Sequence, residues 1–480
     1  MKGLLPAAAG LAVLTAFAPS ADAQTASTHA DCIECIRVRV GAPMVVRGPF
    51  PDELDAAFSA LKLPDGTFRG FSANGATYAI DGPSVEDMSG QRRAVLKPGA
   101  KGSINECGRW LTSVVPTADA LLGFVHQERI CDYDNGQTDK SMAIATSTDG
   151  GLSWKDLGTV ITGANSPKPG TTTGEGDCGL VDGRDGYLYA YCLRNSDWQT
   201  IVARAPATDP TTWHKYHDGA WTEPGLGGDA TAIGFIGTGA GYLIPQGAIA
   251  AVASDPWFGG LRLSLSRDKV TFVDLKEPLV ATDGTEWNRP APTSLNVYVS
   301  LLNPDDGSNA VGDHFLLSYV YVPPGKGFDS RYLVEQEVTL TVEDSPQPVQ
   351  VGVALTRWSD PKQHAYMMST GPLTGDAAAY RQEATVAYLL TRAPDGVPSV
   401  KISECIKQAG GHADSMLAEH CAKGYAPVRT AGWLYVSAQP GTVPVYRCSN
   451  SAAHTHFASA KPDCEGLGAK DQLLGYGFAS

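Results

Sequence analysis

The chain has 480 residues, with 37 Lys and Arg against 51 Asp and Glu, a net charge of −14, 43% hydrophobic residues, 53 Gly, 32 Pro and 10 Cys. Phosphate contacts need clustered cations that release counterions, so an acidic chain of this kind excludes nucleic acid as a partner. The single long apolar stretch excludes a polytopic membrane protein, and the hydrophobic content excludes a disordered one.

Met1-Lys2, the apolar run Leu4 to Phe17 and the small-x-small triplet Ala21-Asp22-Ala23 read as a signal peptide, residues 1–23, cut before Gln24. The apolar run is short for a membrane anchor, so the mature chain is expected to be secreted or periplasmic, without a span, and monomeric. All ten cysteines follow it, in sequence-local pairs: Cys32/Cys35, Cys107/Cys131, Cys178/Cys192, Cys405/Cys421 and Cys448/Cys464. An oxidising compartment favours disulfides, and local pairing suits neighbouring antiparallel strands. A redox or metal role for Cys32-Ile-Glu-Cys35 is the rival reading, with no second cluster to support it.

Asp52 to Leu61 suggests about two helical turns, and Asp414 to Cys421 one or two more. Elsewhere short Val-, Ile-, Tyr- and Thr-rich runs are broken by Asp-Gly and Gly-Gly: Leu121 to Ile130, Met142 to Thr146, Tyr187 to Cys192, Leu295 to Leu302, His314 to Tyr321, Val338 to Val342 and Val349 to Trp358. Regular short strands over so long a chain predict an all-β fold, a barrel or a β-propeller rather than one sandwich. Ser147-Thr-Asp149-Gly-Gly-Leu-Ser153-Trp154 fits the Asp box, in which a carboxylate accepts backbone N–H groups across a hairpin turn. Ser266-Arg-Asp268-Lys-Val-Thr-Phe272 is a degenerate cousin.

With Gly108-Arg-Trp-Leu111, Gly123 to Glu128, Gly174-Glu-Gly-Asp177, Gly186 to Tyr191, Val202-Ala-Arg204, Trp213 to Tyr216 and Pro224 to Gly228, the Asp box resembles secreted five-bladed propeller glycosidases, the arabinanase-like and sialidase-like superfamily. The resemblance implies a propeller with its site at one rim of the central channel. Innermost strands are expected near residues 108, 178, 230, 293 and 364, with the segment before residue 100 closing the ring; five blades are preferred to six. The domains expected are residues 24–425 for the propeller and 426–480 for an accessory β module. That tail, with Cys448, Ser449, His454, His456 and Cys464, resembles a small module of unknown function found on secreted bacterial hydrolases.

On this register Glu106, Glu128, Glu175, Asp177, Asp229 and Glu286 converge on one rim, and strand alternation puts His126 and Glu128 on one face. Paired carboxylates suit glycoside hydrolysis, one protonating the leaving oxygen and the other activating water or attacking carbon. Glu128 and Glu175 are the acid/base candidates, with Asp177 tuning a neighbour. His126, Asp229, Glu286, Trp287 and Arg289 are candidates for holding substrate. His126 also reads as a satisfied strand histidine or an ion ligand, and the acids singly as solvated loop residues. Sialidases clamp a carboxylate with three arginines, and Arg204 with Arg289 makes no such trio. Among the tryptophans, Trp110, Trp198, Trp213, Trp257 and Trp287 include sugar-stacking candidates beside core ones.

Gly225 to Ala230 fits a dinucleotide pattern but follows no βαβ context, and Asp132 to Gly136 is shaped like a calcium loop without its remaining ligands. The expected function is therefore a secreted glycoside hydrolase acting on a poly- or oligosaccharide. It requires no cofactor and no metal, although the channel leaves room for a calcium ion. A propeller polysaccharide lyase and a non-catalytic carbohydrate-binding or cell-envelope propeller are the alternatives.

Overall fold

In the computed structural model, residues 32–479 are described except 118, 255–258, 361, 363–364, 410–411 and 452–453. The expected signal peptide and Trp257 lie outside the described residues. Among those described, the only helical elements are short 3₁₀ turns, and no helix is long and apolar enough to cross a membrane.

The strands fall into antiparallel sheets that follow one another along the chain. The first runs Ser59–Lys62, Phe68–Asn74, Ala76–Gly82 and Arg93–Leu96; the second Gly108–Pro116, Leu121–Asp132, Gln137–Ser147 and Lys155–Thr162. The third begins with Thr172–Asp182, Tyr187–Arg194 and Gln199–Pro206, and the fourth with Gly239–Leu243, Ala248–Ala253 and Gly260–Ser266. The last comprises Leu295–Leu302, His314–Val322 and Tyr332–Val342, and its next strand is Ile36–Val40 from the other end of the chain. Strands Ser59–Lys62, Gly108–Pro116, Thr172–Asp182, Gly239–Leu243 and Leu295–Leu302 touch in cyclic order, the last meeting the first. This is a β-propeller. Its cores lie between neighbouring sheets, as where Phe71 and Ala79 meet Leu111 and Val125, or Val252 and Leu263 meet Phe315 and Leu317.

Several expected elements differ. Asp52–Leu61 is not helical but leads into the strand Ser59–Lys62, which pairs with Phe68–Phe71, so residues 59–96 form a sheet of their own. Asp414 lies in the strand His412–Ala418 rather than a helix. The innermost strand expected near residue 364 is the edge strand Ala365–Ser369, paired with Val351–Asp360 outside the ring. Residue 426, expected to open a separate module, begins the strand Ala426–Tyr435, which pairs along Ser399–Ala409, so the sheet continues across it. In every case tertiary pairing overrides a local pattern.

The Asp box joins Gln137–Ser147 to Lys155–Thr162. Asp149 Oδ1 accepts from the Leu152 and Ser153 amides (3.0 and 2.9 Å), and Trp154 packs against Phe71. Its cousin is a working repeat, with Asp268 accepting from the Val270 and Thr271 amides, although Lys269 stands at a positive φ where Gly is usual. In the second sheet Ser147 pairs with Leu121 while Lys140 pairs with Glu128, so the box and the candidate acids lie at opposite ends of the same strands. The disulfides are the five expected local pairs.

Val38 is fully buried and paired on both sides, with Leu340 and with Val351. Val38→Asp is expected to lower the unfolding free energy by about 3 kcal/mol or more, since it buries a carboxylate without a partner. A denaturant midpoint equal to that of the parent would contradict closure by this strand.

Candidate active site

A cavity of about 560 Å³ at one end of the channel draws its walls from the whole ring: Asp55 ahead of the first sheet, Trp110, His126, Glu128 and Lys140 of the second, Asp177 and Trp198 of the third, Thr238 of the fourth, and Trp287, Tyr298 and Arg331 of the last. Strand alternation does what the spacing predicts, since His126 Nε2 donates to Glu128 Oε1 at 2.9 Å. His126 Nδ1 accepts from the Asp177 amide (2.9 Å), which fixes the neutral tautomer and leaves neither ring nitrogen for a metal. Through these two bonds His126 ties two strands together while lining the cavity. Gly176 lets it approach, because a Cβ there would stand 2.6 Å from the imidazole.

Glu128 is fully engaged. Tyr133 and Thr138 hydroxyls donate to its Oε2 (2.7 and 3.0 Å), and the Lys140 ammonium lies 3.6 Å from Oε1. The same ammonium bonds Asp177 Oδ2 at 2.8 Å. Burial alone would raise the carboxyl pKa, but Lys140 and the His126 and Tyr133 hydrogen bonds hold Glu128 well below the usual range. Asp177 is likewise lowered: against its burial, the paired Lys140 ammonium holds it down. Lys140, buried between two acids, is raised despite the desolvation that opposes its charge. It stands where a divalent cation would otherwise bridge Glu128 and Asp177, so these donors do not fit a calcium ion.

Asp55 behaves oppositely. Its burial and the charges of Glu128 and Asp177 raise its pKa against the pull of the paired Arg331 guanidinium and of Tyr298, whose hydroxyl donates at 3.2 Å. Backbone geometry aims both flanking groups. Asp177 and Tyr298 take φ of 52° and 54° at register shifts in two inner strands. Such left-handed bulges cost roughly 1–2 kcal/mol per residue and cluster beside functional sites.

The bulge at Asp177 also explains where Glu175 goes. Expected beside Glu128, it points away from the cavity and pairs with the fully buried Lys215 at 2.7 Å, whose ammonium also donates to the Thr162 and Gly228 carbonyls. Burial raises Glu175 against that pairing. Asp229 is exposed beside a small separate pocket with Glu175 and Arg194. Glu286 is an exposed loop acid accepting from Thr293 Oγ1, and Arg289 donates to the Glu286 and Thr293 carbonyls of the same loop; neither lines the cavity. Glu106 accepts from the Gly102 and Ile130 amides as a loop brace, and Arg204 stacks on Tyr187 and Trp221. Trp287 does line the cavity.

No protein-family model matches the chain, and no curated protein matches its sequence. Solved structures similar to it include an α-L-arabinofuranosidase from Lactobacillus brevis (12% identity, TM-score 0.41, covering 60% of this chain and 92% of that one). A family 117 glycoside hydrolase from Zobellia galactanivorans gives 10% identity and a TM-score of 0.44 over 65% and 93%. The catalytic domain of a GH62 α-L-arabinofuranosidase from Coprinopsis cinerea gives 10% and 0.41 over 64% and 98%.

Sequence reasoning missed Asp55, Lys140, Tyr298 and Arg331. Asp55 falls in the stretch read as helix, and the others look like ordinary strand residues. Lys140 was findable in principle, because Glu128 pairs with it once the hairpin register is set. Lys140→Met leaves two facing carboxylates and is expected to cost about 3–5 kcal/mol at pH 7. The deficit should shrink as pH falls through the carboxylate range, because protonation removes the repulsion. A pH-independent deficit in denaturation experiments would contradict the bridging role.

Proposed function

We propose that the chain is a glycoside hydrolase acting in the channel cavity on a neutral poly- or oligosaccharide. The observation that carries this reading is that one cavity holds a carboxyl tuned upward, Asp55, and another tuned downward, Asp177. Asp55 gives its proton to the glycosidic oxygen as the C–O bond breaks. Asp177 supplies the electron pair, taking a proton from the attacking water or bonding the anomeric carbon itself. Glu128, with its oxygens already engaged, is a positioning residue: it holds Lys140 and His126, and through them Asp177.

A neutral sugar is favoured because the cavity's Lys140 and Arg331 already face acids, so a uronate or sialate carboxylate would meet no spare cation among the described residues of its wall. The lyase alternative loses support for the same reason. The disulfides support an oxidising compartment, and hence a secreted or periplasmic protein. Five blades, the last completed by Ile36–Val40, is the count we favour. The strands from Val351 onward then form the appended β region.

Assays on aryl glycosides and neutral polysaccharides test the chemistry. The parent should lose kcat/KM as pH rises through a value above that of an unperturbed aspartate, as Asp55 deprotonates. Asp55→Asn should remove that alkaline limb and lower kcat about 10²-fold or more on substrates with poor leaving groups, and much less on activated aryl glycosides. Asp177→Asn should lower turnover of both kinds of substrate. Retention of full activity in both variants would overturn the assignment.

A further inference from the structure

Where the ring meets the strands from Val351 onward lies a smaller chamber of about 50 Å³, with Asp283, Asn296 and Tyr321 of the ring on one side and Thr391, Arg429 and Trp433 on the other. It is separate from the channel cavity. Asn296 lines the chamber, while the next two residues of its strand, Val297 and Tyr298, line the cavity; Asp283 and Ser294 line the chamber at the ends of a loop whose Trp287 lines the cavity.

Two of the chamber's wall side chains are left incomplete. Asn296 is 5% exposed and its Oδ1 has no hydrogen-bond partner among the described residues; Thr391 is 4% exposed and the same holds for its Oγ1. Buried polar groups are almost always satisfied, so each calls for a partner from outside the chain. The charges, in contrast, are already closed. Arg429 Nε lies 3.2 Å from Glu404 Oε2, its Nη2 donates to the Tyr321 hydroxyl (3.3 Å), and Glu404 accepts in addition from Ser369 Oγ and the Thr370 amide. Gly371 makes room for this guanidinium, since a Cβ there would stand 1.4 Å from Nη1. Asp283, at the rim, accepts from the Thr430 amide at 2.7 Å.

The missing partner is thus a neutral group that both donates and accepts. A carboxylate or phosphate would face Glu404 and Asp283, and a metal ion would face Arg429. A hydroxyl supplies a proton to Asn296 Oδ1 and a lone pair to the Thr391 hydroxyl. The volume holds about four water-sized groups, the size of two hydroxyls on adjacent carbons, and Val353 and Trp433 offer apolar surface to those carbons.

We propose that this chamber is a second binding site, outside the catalytic cavity, for the vicinal hydroxyls of a neutral polyol: the edge of a sugar residue, or a free polyol such as glycerol. It uses none of the groups assigned to bond cleavage, so it stands or falls apart from the hydrolase reading.

The test labels the full chain with fluorotryptophan and follows the fluorine resonances of Trp433, at the chamber, and Trp287, at the cavity, assigned by Trp433→Phe and Trp287→Phe. Titrants are xylose, arabinose, glucose, galactose, mannose and glycerol, with acetate and calcium as controls. The Trp433 resonance should shift saturably with at least one polyol and with neither control. A sugar acting without glycerol identifies the source as carbohydrate, and glycerol acting alone identifies a free polyol; either upholds the site.

Thr391→Val nearly keeps the side-chain volume and removes the orphaned hydroxyl, so it should hold or raise the Tm while weakening that polyol about five- to tenfold, and Asn296→Ala should weaken it similarly. A Trp433 resonance that no polyol moves, one moved as strongly by acetate or calcium, or equal affinity in the parent and Thr391→Val would overturn the site. The same titration in a protein that turns over no glycoside would sink the hydrolase reading and leave this one intact.

Discussion

A ring of sheets has a defined channel only if its last sheet meets its first, and here the joint is made by pairing the N-terminal strand Ile36–Val40 with Tyr332–Val342. Every property of the cavity depends on it. Asp55 reaches the cavity from the segment just after this strand, and Arg331 and Tyr298, which pair with or bond to it, come from the sheet that the strand completes. The closure therefore brings together a carboxyl and its two partners from distant parts of the sequence. Glu277 reinforces the neighbourhood by accepting the Gln350 and Val351 amides, where the chain leaves the ring for the strand that flanks Ile36–Val40 on its other side.

Within that frame the electrostatics divide the acids into unlike groups. One buried ammonium serves Glu128 and Asp177 together, which keeps both ionised in surroundings that would otherwise neutralise one of them. Asp55 has a cation of its own yet feels both of those charges, and burial dominates. The division needs rigidity, which His126 provides by bonding a carboxylate through one nitrogen and a backbone amide through the other. Loosening either bond would let Asp177 turn, since its left-handed backbone is held by its neighbours rather than by its own preference.

How much of this was legible in the sequence depended on whether a signal was local. The Asp box, the cysteine pairs, the strand runs and the His126–Glu128 face are set by residues a few positions apart, and period-two alternation reads them directly. Alternation misled at Glu175 and Asp177, which two-residue spacing assigns to one face; the bulge between Gly176 and Gly179 breaks the count and sends Glu175 to Lys215. Asp55 was hidden by a pattern of apolar residues that suits a helix equally well until Phe68–Asn74 is there to pair with it. Arg331 carried no mark separating it from solvated charges, because only the closed ring brings Asp55 to it, whereas Lys140 needed only the hairpin register to meet Glu128. The expected extra inner strand near residue 364 failed for the same reason, since nothing local tells a ring strand from one just outside it.

The closing strand also sets a condition on how the protein acquires its fold. Ile36–Val40 leaves the ribosome first among the described strands, yet both strands that pair with it are made only after all the other sheets of the ring. Until then its Val38 and Val40 and its backbone hydrogen-bonding groups lack their final partners. Contacts of such long sequence separation make folding slow, because the loop-closure entropy is lost before the contacts return anything. The neighbouring sheets, each a local meander, can form early as separate units. The channel cavity, drawn from all of them, comes into being at the last step, so an incomplete chain can resemble the finished protein in secondary structure and still lack the cavity.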